Sequence, residues 1–108
     1  MTSLSTHVLD AAAGTPAAGL PVVLRSASGQ GASGQIATAV TDADGRIRWQ
    51  QDLQPGAHTL TFATGEWFAA ANRATFYPRI DLNVDLSGEH VHVAVLLSPY
   101  SYTTYKGS

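Results

Sequence analysis

The sequence predicts an all-β fold: a two-sheet β-sandwich of about eight strands with one short helix. Turn signals containing Gly or Pro recur at short intervals, and the runs between them have strand length. In several runs, residues two apart share a chemical character, as side chains on one face of a strand do. One segment differs. Glu66-Trp-Phe-Ala-Ala-Ala-Asn72 is rich in alanine, a strong helix former.

Residues 5–11 form the first expected strand, with Ser5, His7 and Leu9 on one face and Thr6 and Val8 on the other. Gly14-Thr-Pro16 ends it, and a second strand covers residues 20–26. The Gly/Ser-rich stretch 26–34 reads as a hairpin loop rather than a linker, and a third strand follows at 35–41. Asp44-Gly45 is a hairpin turn signal before a strand at 46–49, and Pro55-Gly56 precedes one at 58–62. The helix is expected over 66–72, with Thr64 able to cap it. Strands at 81–85, 89–97 and 100–106 complete the set, divided by Ser87-Gly88 and Ser98-Pro99. In 89–97, Val91, Val93, Val95 and Leu97 form a core face, while His90, His92, Ala94 and Leu96 lie opposite. In the last strand Thr103 and Tyr105 share one face, and Tyr102, Thr104 and Lys106 the other. Trp67, Phe68, Phe76 and Tyr77 are expected to pack helix against sheet, and His58 to be structural or solvent-facing.

The length of 108 residues predicts a single domain, residues 1–108. Only 13% of residues are charged and 44% are hydrophobic, which favours an oligomer, because fewer groups must stay in water. The net charge is −2 and no basic block stands out, so no nucleic-acid partner is expected. With no cysteine, disulfides and Cys-based zinc sites are excluded. The opening residues lack a charged region followed by an apolar run, so no signal peptide is expected. No apolar stretch reaches membrane-spanning length, and a cytoplasmic protein is the simplest expectation.

Taken singly, the polar motifs have both functional and ordinary readings. His90-Val-His92 points two imidazoles the same way, and His7 could supply a third nitrogen to a metal; two solvent-facing histidines are the alternative. Thr41-Asp-Ala-Asp-Gly45-Arg46 is a turn followed either by an exposed Arg or by one fixed to grip a carbonyl or anion. Asp42-Ala-Asp44 begins like a calcium loop but lacks its later ligands. A Ser5-His7-Asp10 triad fails on geometry, because Asp10 points away from the face that Ser5 and His7 share.

The order of these motifs along the chain carries a resemblance. Leu4-Ser-Thr-His7-Val-Leu-Asp10 with Gly14-Thr-Pro-Ala17, then Thr41–Arg46, Phe76-Tyr-Pro78, and the closing run from His90 to Ser108 together resemble the transthyretin-like family over nearly the whole chain. That family contains thyroid-hormone carriers and 5-hydroxyisourate hydrolases. The hydrolases are marked by a His in the first strand, an Arg after the Asp-Gly turn, a His in the penultimate strand and a Tyr-Arg-Gly-Ser tetrapeptide. These correspond to His7, Arg46, His92 and Tyr105-Lys-Gly-Ser108. The chain departs from the pattern at Lys106, where Arg is usual, and at Val91, Ala94 and Val95.

The resemblance implies hydrolysis of 5-hydroxyisourate in urate degradation, a part of purine metabolism. It implies His7, Arg46, His92 and Ser108 as catalytic residues and Tyr105, Lys106 and Gly107 as substrate-binding residues. Neither cofactor nor metal is implied. It also implies a homotetramer, a dimer of dimers with its sites between the dimers. The alternative is a small-molecule binding protein for a hormone-like ligand.

Overall fold

The computed structural model describes residues 1–26 and 34–107. Its elements in chain order are β1 (Ser3–Asp10), β2 (Thr15–Pro16), β3 (Pro21–Ser26), β4 (Gln35–Val40), β5 (Arg46–Arg48), β6 (Gly56–Phe62), α1 (Thr64–Ala70), β7 (Ile80–Leu86), β8 (His90–Ser98) and β9 (Ser101–Gly107). They form the expected two-sheet sandwich. One sheet has the order β2-β1-β8-β9, with β5 also pairing with β1; the other has the order β4-β3-β6-β7. All pairings are antiparallel except β1 with β8, which runs parallel over eight residue pairs from Ser3 and His90 to Asp10 and Leu97.

Alternation builds the core. Leu4, Val8, Ile47, Val91, Val93, Val95 and Leu97 point inward from one sheet, against Val22, Leu24, Leu60, Phe62, Ile80, Leu82 and Leu86 from the other. Phe68 of α1 is fully buried in the same cluster. The inward row of β1 also holds Thr6, whose hydroxyl accepts the Trp49 indole N–H at 3.2 Å, so this buried polar atom is paired. The other face of β1 and β8, carrying the three histidines His7, His90 and His92, is left outside.

Several expectations need correction. β2 was not foreseen, because a two-residue strand carries no periodic signal; it pairs Leu9 with Pro16 and Asp10 with Thr15. The helix begins at Thr64, and Thr64 does not cap it: the N-cap is Ala63, with no side-chain bond. The buried Thr64 hydroxyl donates instead to the Tyr77 carbonyl at 3.2 Å. Phe76 does not pack helix on sheet. It is 71% exposed, with its ring set at a steep angle to that of Tyr77. His58 is structural: it is buried, with Nδ1 3.0 Å from the Gly56 carbonyl. The expected loop at 26–34 lies mostly outside the described residues, though β3 and β4 on either side of it do pair. Among the described residues no helix is long and apolar enough to cross a membrane.

Candidate active site

The outer face of β5, β1, β8 and β9 is a lattice in which paired residues share a row. One row runs Arg46, His7, Ala94, Tyr105. The next runs Arg48, Ser5, His92, Gly107. A third pairs Ser3 with His90. Small residues (Ser5, Ala94, Gly107) alternate with large polar ones, so the lattice is dented. A hollow of about 210 Å³ is lined by Ser5, Asp42, Arg46, Arg48 and His92, among others.

Each side chain is placed by a local cause. Arg46 is set by the turn before it. The Asp42 carboxylate accepts the backbone N–H groups of Asp44 at 2.9 Å and Arg46 at 3.0 Å. The Arg46 amide holds that carboxyl below its usual range, with Asp44, Arg46 and His7 acting in the same direction against some desolvation. Gly45 closes the turn at φ +75°, and a Cβ there would collide with the Val8 carbonyl oxygen. The Gly45 carbonyl accepts the Val8 N–H at 2.8 Å, which docks the turn on β1.

His92 is held from two sides. Its Nδ1 lies 2.7 Å from the Ser5 hydroxyl. Gly107 packs against the ring, and a Cβ there would sit 2.6 Å from the imidazole Cδ2. Among the described residues the other ring nitrogen, Nε2, has no hydrogen-bond partner. Burial lowers the His92 pKa from its ordinary value, and His7, His90 and Arg46 lower it further. The shift favours the neutral ring, the form available as a base. His7 stands diagonally across, its centroid 6.5 Å from that of His92. That is too far for a direct bond between the rings, but one water or one substrate atom can bridge it.

The structure thus gathers His7, Arg46 and His92, with Tyr105 and Gly107 in their rows. It does not bring Lys106 there. Lys106 pairs with Val93, so alternation turns its side chain to the opposite face. There it lines an apolar hollow of about 240 Å³ with Val84, Asp85, Val91, Val93, Thr104 and part of Tyr105, between the edges of β7 and β9. Ser108 lies outside the described residues. Sequence reasoning missed Arg48 and set Ser5 aside. Arg46-Ile47-Arg48 carried a usable signal, since an inward Ile places both arginines outward. Asp10 is absent from the site, as its parity required: it is buried behind the sheet and paired with Arg73 at 2.6 Å. Ser5 spans the facing nitrogens of His90 and His92, and among the described residues no set of three or more His, Asp or Glu gathers as ligands for a metal ion.

One imidazole and two guanidinium groups around a hollow, with the His7 ring 6.5 Å from that of His92, suit the hydrolysis of a polar acyl compound. The model of the HIUase/Transthyretin family matches residues 4–107. The chain belongs to this family. A 5-hydroxyisourate hydrolase of Caulobacter vibrioides is 40% identical, with 100% of each chain covered. The solved structure of Klebsiella pneumoniae 5-hydroxyisourate hydrolase superposes with a TM-score of 0.90 at 37% identity, covering 100% of both chains. Sea bream transthyretin, solved in complex with thyroxine, gives a TM-score of 0.83 at 33% identity, covering 96% of this chain and 93% of that one. Both branches of the HIUase/Transthyretin family therefore share this backbone, and side chains in the hollow have to discriminate between them.

Proposed function

We propose that the chain is a 5-hydroxyisourate hydrolase, which opens the oxidised purine ring with water in urate degradation. The observation that carries this reading is His92. It is anchored through Nδ1, shifted by burial toward its neutral form, and lines a hollow edged by Arg46 and Arg48. His92 Nε2 takes a proton from water as the water oxygen attacks the acyl carbon. Arg46, helped by Arg48, receives the developing oxyanion. The carbon–nitrogen bond breaks, and His7 and His92 pass the proton to the leaving nitrogen. Tyr105 adds a hydroxyl donor to the His7 row, Gly107 makes room for the His92 ring, and Ser108 closes the site. Lys106, facing the other side of the sheet, is left out of this scheme. No cofactor takes part.

The working form is a homotetramer, a dimer of dimers, each chain a single domain in the cytoplasm. The open, half-buried histidine face supports this: a second subunit laid over it turns a dented surface into a closed pocket, where charges act more strongly than in water. Thyroxine-type binding is the rival. Three histidines and two arginines on this face make it a poor apolar channel.

The test is the decay of 5-hydroxyisourate, generated from urate by urate oxidase and followed by ultraviolet absorbance. The protein accelerates decay, and His92→Ala reduces turnover about a hundredfold or more while the protein keeps its assembly. Decay at the spontaneous rate with a folded tetramer, or a His92→Ala variant with full turnover, overturns the reading.

A further inference from the structure

A hydrogen-bonded chain of side chains starts at His92 Nδ1 and runs along β1 and β8, from Ser5 at the hollow to Ser3. His92 Nδ1 lies 2.7 Å from Ser5 Oγ, and Ser5 Oγ lies 2.9 Å from His90 Nε2. His90 Nδ1 then lies 2.6 Å from Ser3 Oγ, and Ser3 Oγ reaches the Glu89 carbonyl at 3.1 Å. The parallel pairing of β1 with β8 produces it: serines at alternate positions of one strand interleave with histidines at alternate positions of the other.

Proton counting orients the chain. Ser5 has one hydroxyl proton for two imidazole neighbours, so it donates to one and accepts from the other. If His92 Nδ1–H donates to Ser5, then Ser5 donates to His90 Nε2, His90 Nδ1–H donates to Ser3, and Ser3 donates to the Glu89 carbonyl. All four contacts are hydrogen bonds in this order. In the reverse order the Ser3 proton goes to His90 and the contact to Glu89 is lost. The favoured order puts the proton of His92 on Nδ1 and leaves Nε2 bare, the tautomer a base facing the hollow requires.

In the single subunit the chain also ends at the surface. His90 is exposed, and with Ser3, Arg48, Gln50 and Asp52 it borders a second hollow of about 210 Å³. Arg48 edges both hollows. The proposed hydrolysis needs such an outlet. Attacking water brings two protons; the leaving nitrogen keeps one, and the new carboxyl group, with an ordinary pKa near 4, holds none at neutral pH. One proton must therefore leave in each turnover.

We propose that Ser3, His90 and Ser5 form a proton relay that fixes the His92 tautomer and carries its proton to the solvent at His90 and Ser3. His92 takes the second proton on Nε2 and gives up the one on Nδ1 to Ser5. The Ser5 proton passes to His90 Nε2, the Nδ1 proton of His90 passes to Ser3, and Ser3 releases its own to water. When product leaves, Nε2 gives its proton to water, Ser3 takes one up, and the relay protons shift back so that the starting tautomers return. His90 is thus a positioning and relay residue that never touches substrate. This inference rests on the hydrolase reading.

The test combines ¹⁵N nuclear magnetic resonance of His92 with turnover of His90→Ala at low and high concentrations of added imidazole. In the wild type the ¹⁵N shifts give the Nδ1–H tautomer; in His90→Ala and Ser5→Ala that preference is lost. His90→Ala lowers kcat about ten- to a hundredfold in dilute buffer, the size typical of partners that orient a functional histidine, with KM unchanged. Added imidazole restores it. The relay is overturned by an unchanged His92 tautomer in His90→Ala, by wild-type turnover in dilute buffer, or by a loss that imidazole does not restore. The resonance arm needs no substrate. A wild type that keeps the tautomer but hydrolyses nothing therefore defeats the hydrolase reading, and a wild type that hydrolyses with the wrong tautomer defeats the relay.

Discussion

In the proposed reaction His92 acts as a neutral base, a form that its surroundings favour more than those of an ordinary surface histidine. Its folded pKa lies below the ordinary value, chiefly through burial. If the neutral base is the active species, as proposed, activity is lost as pH falls through that lowered pKa and is full above it. The acid limb of kcat/KM is expected to have its midpoint below about 6.5, the ordinary imidazole value. A midpoint at or above that value would remove His92 from the role of base. Gly107 is the second residue with a strict requirement. Its backbone is unremarkable, but any Cβ would meet the His92 ring. Gly107→Ala should swing the imidazole away and cut kcat by up to about a hundredfold with little change in KM, because small misplacements of a reacting group are costly. Equal turnover in Gly107→Ala would mean that the ring has more freedom than the packing implies.

At the scale of the element, the turn between β4 and β5 and the alternation of the strands do most of the positioning. Gly45→Ala forces a side chain into a left-handed conformation and onto the Val8 carbonyl, so it should cost at least about 1–3 kcal/mol in urea unfolding. It should also impair turnover, because Arg46 follows directly. Stability unchanged by Gly45→Ala would show that the turn can open without penalty. Strand parity was legible in the sequence. The inward valines of β8 and the outward histidines were separable from alternation alone, as was the exclusion of Asp10 from the site. Lys106 shows what was not legible. Its parity was on the page, opposite that of Tyr105, yet resemblance to a tetrapeptide placed both in the site; only the register of β9 against β8 settles the face. The serines were overlooked for a different reason. Ser3 and Ser5 mean nothing until β1 and β8 lie side by side, and no local pattern announces a pairing between distant strands.

Across the whole molecule, the Asp10–Arg73 pair ties the end of β1 to the segment after α1. The guanidinium reaches Asp10 at 2.6 and 3.4 Å and lies 4.7 Å from the centre of the Phe68 ring. The Asp10 carboxyl is held below its usual range, first by the Arg73 hydrogen bond. A depressed carboxyl pKa adds stability above the unfolded value and loses it as pH falls through the folded one. Asp10→Asn should therefore cost about 2 kcal/mol in urea unfolding at pH 7, since Arg73 is partly solvated, and the gap to the wild type should narrow by pH 3. A gap that is constant with pH would assign the loss to packing. The parallel join of β1 and β8 has a last consequence, for the order of events during synthesis. Ser5 and His92 are 87 residues apart, so closing that loop is among the slowest contacts available to the chain. A ribosome must release every residue through β8 before β1 can find it. No nascent piece ending before β8 brings the serines of β1 to the histidines of β8, so the proposed relay and base are assembled only after β8 has been made.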